Sequence, residues 1–321
     1  MFSNLSFTVS IIALVLRSGL SDTDINAPLM LLFSFSFCHK TYILPSVHQK
    51  LCKNHLQYRK FQEFPHRGLR QTGKRLSLML IKTNAIVLRT VAYGDDRLLA
   101  HLFSEVRGRV VVAVKLSSSQ KGRMQRRLFQ PLSLLTVEID FRENRDVQRL
   151  KNVAMHYAWT SVYADAAKIS VTLFLAEVLF HTLRQETEDV RTYGFVELSL
   201  KCLDMMESNR GKANFHLAFL VGLTRCLGFF PADAVDSRGD VFDMRTGQCV
   251  MSMPPHRDVL RGEETEAMRR LLRMDYGNLH RFAFTREERR RCLDMVLAYY
   301  RIHVSSFPEL RTIGVLEELF G

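Results

Sequence analysis

Five short apolar runs between residues 81 and 157 constrain the fold of this chain more than any other feature. Ile81–Val91, Leu98–Phe103, Arg109–Leu116, Leu132–Phe141 and Val147–Tyr157 are rich in β-branched and apolar residues. Turn formers separate them: Gly94-Asp95-Asp96, Arg107-Gly108, the polar loop Ser117–Arg127, and Arg142–Asp146. Five such strands predict a small Greek-key barrel of the OB type, which closes its sheet and presents one face and its loops to an oligonucleotide. An SH3-like barrel is the structural rival.

Past Trp159 the apolar period changes to 3.6. Val162–Leu183, Val190–Met206, Ala213–Leu227, Glu263–Met274, Arg286–Val304 and Pro308–Phe320 read as helices. Thr285 followed three residues later by Glu288 is a capping-box signature, and Gly228 before Phe229-Phe230-Pro231 is a helix stop. The expected class is therefore α+β, with an OB barrel over 79–160 and a mainly helical domain over 161–321. Within the latter, 232–255 is too rich in Asp, Gly and Pro to continue a helix and reads as a loop-like insert.

Charge separates these regions. Of the formal +12, residues 79–160 contribute +7, from fourteen Lys/Arg against seven Asp/Glu, whereas 161–321 contribute −2. From Arg107 to Arg127 there are seven cations and no acid, the electrostatic footprint of a phosphate-backbone binder. Affinity for such a polyanion comes mainly from cations that displace condensed counterions. The candidate contacts are Arg89, Arg97, Arg107, Arg109, Lys115, Lys121, Arg123, Arg126 and Arg127, lining a groove or a loop that neutralises phosphates on two strands. For any single arginine on a strand, a solvated surface charge is the competing reading. Tyr93, beside a turn, is the best base-stacking candidate. Phe103 and Phe129 lie within apolar patterns and read as core.

The first 78 residues fit the rest poorly, although they contribute another +7. Their apolar runs, Phe7–Leu16 and Leu29–Phe37, fall short of the ~20 residues a membrane span needs. No cation precedes the first run and no clean small-residue cleavage site follows it, which argues against a secretory signal. The working protein is expected to begin at Met79 and to reside in the cytoplasm. Cys38, Cys52, Cys202, Cys226, Cys249 and Cys292 are scattered singly, without the paired spacing of a zinc site, and read as free thiols. Asp233, Asp236, Asp240 and Asp243 lack the EF-hand ligand pattern and read as a solvated acidic loop. Arg289-Arg290-Arg291 is flanked by Glu287 and Glu288, so a solvated helix start is favoured over a second DNA contact. No metal, cofactor or catalytic motif is found, and the chain is expected not to be an enzyme.

Several segments in this order resemble the RecO family of bacterial DNA repair and recombination proteins. They are Lys82-Thr83-Asn84-Ala85-Ile86-Val87-Leu88-Arg89, Tyr93-Gly94-Asp95-Asp96, Leu102-Phe103-Ser104, Gly108, Val111–Lys115, Phe129-Gln130-Pro131-Leu132, Leu135-Thr136-Val137-Glu138 and Leu227-Gly228-Phe229-Phe230-Pro231. The resemblance covers nearly everything from Leu80 to Phe320. It implies an OB domain that binds single- and double-stranded DNA and anneals complementary strands, at the nucleoid. It also implies contact with the acidic C-terminal tail of single-strand-binding protein, partnership with RecR, and a functional link to RecA and RecF. Many relatives carry a four-cysteine zinc module where 232–255 lies, but this chain offers only Cys249 there, so metal is not carried over. The tail should enter a hydrophobic pocket rimmed by cations. The helix around 212–227 is the candidate, with Lys212 and Arg225 as rim charges and Phe215 and Phe219 near the pocket. An ordinary amphipathic core helix is the alternative. Two other functions stay open: an OB module for RNA, associated with tRNA or the ribosome, and a protein adaptor whose basic face is incidental.

Overall fold

The computed structural model describes residues 79–94, 96–116, 119–234 and 239–320, without the side chains of Gln120, Lys121, Arg123, Asp233, Leu319 and Phe320. The expectations for residues 1–78, including Cys38 and Cys52, and for Asp236 lie outside the described residues.

Strands β1 (Met79–Tyr93), β2 (Arg97–Ser104), β3 (Gly108–Lys115), β4 (Leu134–Phe141) and β5 (Val147–Met155) close into a barrel in the order β1-β2-β3-β5-β4. Residues 79–86 of the long β1 pair with β4, and residues 85–93 pair with β2. The ring closes through one parallel contact, Val111–Ala113 of β3 with Val147–Arg149 of β5. That topology is OB-like and excludes the SH3-like rival. Period-two alternation fills the interior: Ala85 and Val87, Leu98, Ala100 and Leu102, Val110, Val112 and Val114, and Leu135, Val137 and Ile139 are all buried together.

The polar segment after β3 is not a loop. It forms helix α1 (Gln120–Leu128), capped by Ser119, whose hydroxyl accepts the Gly122 N–H at 3.3 Å. Gln, Lys, Arg, Met and Leu are good helix formers, so propensity and a cap hold this helix where no apolar periodicity announces it. Leu128 and the buried Phe129 tie its C-terminus into the barrel interior.

The remaining helices are α2 (Ala166–Thr182), α3 (Val190–Met205), α4 (Asn209–Leu227), α5 (Glu263–Leu272), α6 (Arg286–His303) and α7 (Ile313–Phe320). The Thr285–Glu288 capping box is present, and Gly228 ends α4 in the left-handed region at φ 85°. Helix α7 begins later than the expected Pro308, because Glu177 on α2 accepts the backbone N–H groups of Arg311 and Thr312 and holds that stretch out of a helix. The insert is also more ordered than a loop: β6 (Val241–Asp243) pairs between β7 (Gln248–Val250) and β8 (Val259–Arg261). Asp243 is not a solvated acid. It is buried, and its carboxylate lies 3.4 Å from His256 Nε2.

A second core, distinct from the barrel interior, joins barrel and helices. Ile86, Leu88, Phe103, Leu132 and Leu134 leave the barrel wall outward and pack with residues of α2, α3 and α4. Gly108, at φ 61°, brings the β2–β3 turn so close that a Cβ there would collide with the backbone carbonyls of Gln185 and Thr187. The connection from barrel to helices, residues 157–162, is fastened by Asp204 on α3. Its carboxylate accepts the N–H groups of Thr160, Ser161 and Val162 at 2.8–3.2 Å, and the hydroxyls of Thr160, Ser161 and Tyr157.

Candidate nucleic-acid interface

A register shift in β1 builds the site. Val87 pairs with Leu102, but Arg89, two residues on, pairs with His101, the next residue of β2, so Leu88 is the extra residue of a β-bulge. A bulge re-aims every side chain after it. Ala85 and Val87 point into the barrel, whereas Arg89, Val91 and Tyr93 point out of it, onto the face where a regular strand would have hidden them.

Cross-strand pairing then collects three rows on that outer face. Tyr93, Arg97 and Lys115 form the first, Val91, Leu99, Ala113 and Arg149 the second, and Arg89, His101, Val111 and Val147 the third. Tyr93 is 58% exposed, Val91 39% and Val147 40%, and Arg89, Arg97, Lys115 and Arg149 are all exposed. The result is an apolar strip crossed by strands, with one ring at its end and cations around it. Such a surface receives bases on its centre and phosphates on its rim. Opposed like charges such as Arg97 and Lys115 oppose folding, so this row is not explained by stability. The exposed pair of Arg97 with Asp96, at 3.6 Å, offsets at most about 1 kcal/mol of that.

Four predicted residues, Arg89, Tyr93, Arg97 and Lys115, are therefore brought together. Arg149 joins them and was missed, because it sits in a stretch of mixed charge; its position between Gln148 and Leu150 in an alternating strand was the available signal. Arg126 and Arg127 are exposed on α1, beyond the strand face, and the side chains of Lys121 and Arg123 lie outside the described residues.

Arg107 and Arg109 do not belong to the site. Arg107 lies at the far end of the β2–β3 hairpin, its guanidinium 4.7 Å from the Phe141 ring centre, roughly 26 Å along the strand from Lys115. Arg109 faces the helices. Its Nη1 donates to the Phe180 carbonyl at 2.6 Å and to that of Leu183 at 3.3 Å, capping the C-terminus of α2, and its guanidinium lies 4.1 Å from the Phe180 ring centre. Unpaired helix-end carbonyls want such a donor. Burial, with the charges of Arg109 and Arg89, pushes the His101 imidazole below its ordinary value, so it adds no positive charge to the face at neutral pH.

The four residues expected to form a peptide pocket are not brought together in one. Phe215 and Phe219 are wholly buried, and Lys212 is committed to Asp165 at 2.8 Å. Thirteen residues of helix separate Lys212 from Arg225, about 20 Å. A cleft of about 330 Å³ does open beside Arg225, between α3, α4 and the segment after α5. Arg191 supplies its second cation, and Phe195, Tyr276 and Met274 its apolar walls. Phe219 lies 5.4 Å behind Phe195, and Phe215 stacks 5.0 Å behind Tyr276. The two predicted phenylalanines thus support the rings that line the cleft. Asp275, also on the wall, has its carboxylate turned to the N–H groups of Gly277 and Asn278.

Among the described residues no cluster of three or more His, Cys, Asp or Glu can hold a metal ion, and no helix is long and apolar enough to cross a membrane.

Comparison with known proteins agrees with this architecture. The family model described as Recombination protein O N terminal matches residues 79–158, and that described as Recombination protein O C terminal matches residues 163–311. A DNA repair protein RecO of Phocaeicola vulgatus is 37% identical over 243 residues, 76% of this chain and 100% of the relative. Those of Azobacteroides pseudotrichonymphae and Porphyromonas gingivalis are 31% and 34% identical over 242 and 248 residues, in each case 75% of this chain and all of the relative.

Proposed function

This chain belongs to the recombination protein O family, and from that membership we propose that it acts in DNA repair and recombination as a non-catalytic mediator. It binds single- and double-stranded DNA through the barrel, anneals complementary strands, and with RecR helps load RecA onto gaps coated by single-strand-binding protein, with RecF linked to the same process. The reading places it in the cytoplasm, at the nucleoid. The observation that carries DNA binding is the convergence of Arg89, Tyr93, Arg97, Lys115 and Arg149 on one outer face of an OB-like barrel.

Binding of a labelled oligo-dT to the full chain tests it. Four face cations give a salt slope near −3, so affinity should fall about 50-fold between 50 and 200 mM salt. A flat response favours the adaptor, and displacement by RNA far more readily than by DNA favours the RNA module.

The cleft beside Arg225 suits the acidic, apolar-ended tail of single-strand-binding protein, with Arg191 and Arg225 meeting the acids and Phe195, Met274 and Tyr276 the terminal side chain. Arg191→Glu with Arg225→Glu should weaken a tail peptide at least ~10-fold, since each interfacial charge pair lost costs over 1 kcal/mol. Oligo-dT affinity should stay unchanged. Peptide should also slow alkylation of Cys226, which lies on the cleft wall, as read by mass spectrometry; unprotected Cys226 and unchanged peptide affinity would remove the placement.

A further inference from the structure

The segment Leu227-Gly228-Phe229-Phe230-Pro231 gives most of its residues to the fold. Gly228, in the left-handed region, ends α4 and turns the chain back, so that the Phe229 N–H reaches the Thr224 carbonyl at 3.0 Å. The Phe229 ring stacks on His303 of α6 at 5.0 Å, and its carbonyl accepts the Tyr299 hydroxyl at 2.8 Å. Pro231 is buried against the turn between β6 and β7, where a Cβ on Gly247 would come within 3.2 Å of the Pro231 Cβ. Phe230 is half-buried and takes a different place: its ring lies under the Arg225 guanidinium, with Cζ 3.4 Å from the ring centre. That separation is plane-on-plane contact, the geometry in which an arginine keeps its N–H edge free.

Arg225 lines the cleft of about 330 Å³ together with Arg191, Phe195, Met274 and Tyr276. No acid competes for it. Among the described residues it joins no ion pair, and the carboxylate of Asp275 on the same wall accepts the N–H groups of Gly277 and Asn278. Burial also lowers the Arg225 pKa from its ordinary value, so the contact with the ring is made partly out of water, where a cation on a ring face is held more strongly. An arginine free at a rim samples many rotamers and loses that freedom when it binds a carboxylate. One stacked on a ring has lost it before the ligand arrives, and its planar fork is already set to receive two oxygens.

We propose that Phe230 is the positioning residue of this cleft: its ring fixes Arg225 in the orientation that receives an acidic side chain of the bound peptide. This rests on the tail-peptide reading of the cleft above and adds the residue that sets how long the peptide stays. The ring carries no charge. It therefore leaves the long-range attraction of Arg191 and Arg225, and with it the association rate, unchanged, and acts on dissociation.

Stopped-flow binding of a labelled acidic peptide ending in phenylalanine to the full chain tests the proposal. Phe230→Leu keeps the apolar character and the charge of the cleft but removes the ring face. It should speed dissociation about fivefold, the size of a partly desolvated contact between cation and ring, with association within about twofold of wild type. Phe230→Tyr keeps the ring and should release peptide at the wild-type rate. A peptide with asparagine for each aspartate should not distinguish Phe230→Leu from wild type, and Phe230→Leu should add nothing in an Arg225→Gln background. Without peptide, the Arg225 Hε resonance, assigned by its absence from Arg225→Lys, should lie upfield of those of the other arginines in the wild type and return among them in Phe230→Leu. Equal weakening of the acidic and neutral peptides would mean that Phe230 only shapes the cleft, and would overturn the proposal. So would an unshifted Hε in the wild type, or unchanged dissociation from Phe230→Leu while Arg225→Gln weakens binding. A wild type that does not bind the acidic peptide is a separate result: it removes the reading of the cleft, and the proposal with it.

Discussion

Replacing Arg97, Lys115 and Arg149 by glutamine should cost about 100-fold in affinity for oligo-dT at 0.1 M salt, with the melting temperature unchanged or raised. The magnitude follows from counterion release: each lost contact with a single strand removes about 0.7 from the salt slope, and therefore about 0.7 log units at 0.1 M, so three contacts remove roughly 2. The opposite sign on stability follows from the register. Arg97 and Lys115 are direct cross-strand partners, and both are exposed, so neutralising them relieves repulsion and leaves no buried group unpaired. A variant that lost stability in step with affinity would show that these residues act on the fold. Tyr93→Ala should cost a further ~1–3 kcal/mol if the ring stacks on a base, and that increment should not change the salt slope. A combined titration of oligonucleotide against salt therefore separates the ring from the cations.

How much of this was legible in the sequence depends on whether a feature is local. The five strands follow from alternation and turn residues, and their observed ends lie within one residue of the expected ones except at both ends of β1, at the end of β5 and at the start of β4, where the difference is two. The capping box at Thr285 and the Gly228 stop are also local signals, and both are present. The bulge at Leu88 is not local: Val87-Leu88-Arg89 reads as plain strand, and only pairing with β2 shows that the face changes there. Arg109 illustrates the same limit. By charge it belongs with its neighbours, yet it faces the end of α2, some 70 residues away in the chain, and serves as that helix's cap. Phe215 and Phe219 lie one layer behind the wall of the cleft beside Arg225, because a helix buried on nearly every side gives periodicity no means of telling a wall from its support. Helix α1 was missed for the opposite reason: with no residue but Gly122 buried among those whose side chains are described, it has no apolar stripe to detect.

The largest loss of stability should come from Asp204→Ala. This carboxylate is 2% exposed and is the common acceptor for three backbone N–H groups and three hydroxyls of the connection between barrel and helices. Removing it strands those donors in the interior, which should cost about 3–5 kcal/mol and lower the melting temperature by about 10 °C. Lys168 does not compensate, because its Nζ donates to the Asp204 backbone carbonyl at 2.7 Å and to Ser161 Oγ at 2.6 Å, not to the carboxylate. The same hub makes stability depend on pH. Burial by itself would raise the Asp204 pKa, but the N–H groups of Thr160, Ser161 and Val162 and the Thr160 hydroxyl outweigh it and hold the carboxyl below its ordinary value. A carboxyl lowered in the folded state contributes stability above its unfolded value, about 3.9, and that contribution disappears as pH falls through the lower folded value. The difference in unfolding free energy between wild type and Asp204→Asn should therefore be greatest above about pH 4 and shrink below it. Urea unfolding at several pH values measures it directly; a difference that stayed constant from pH 7 to pH 3 would show that the hub works by shape and not by charge. Because Asp204 touches none of the outer-face residues, oligo-dT affinity of the folded variant at neutral pH should match wild type, which keeps the connection's structural role distinct from the proposed DNA contact.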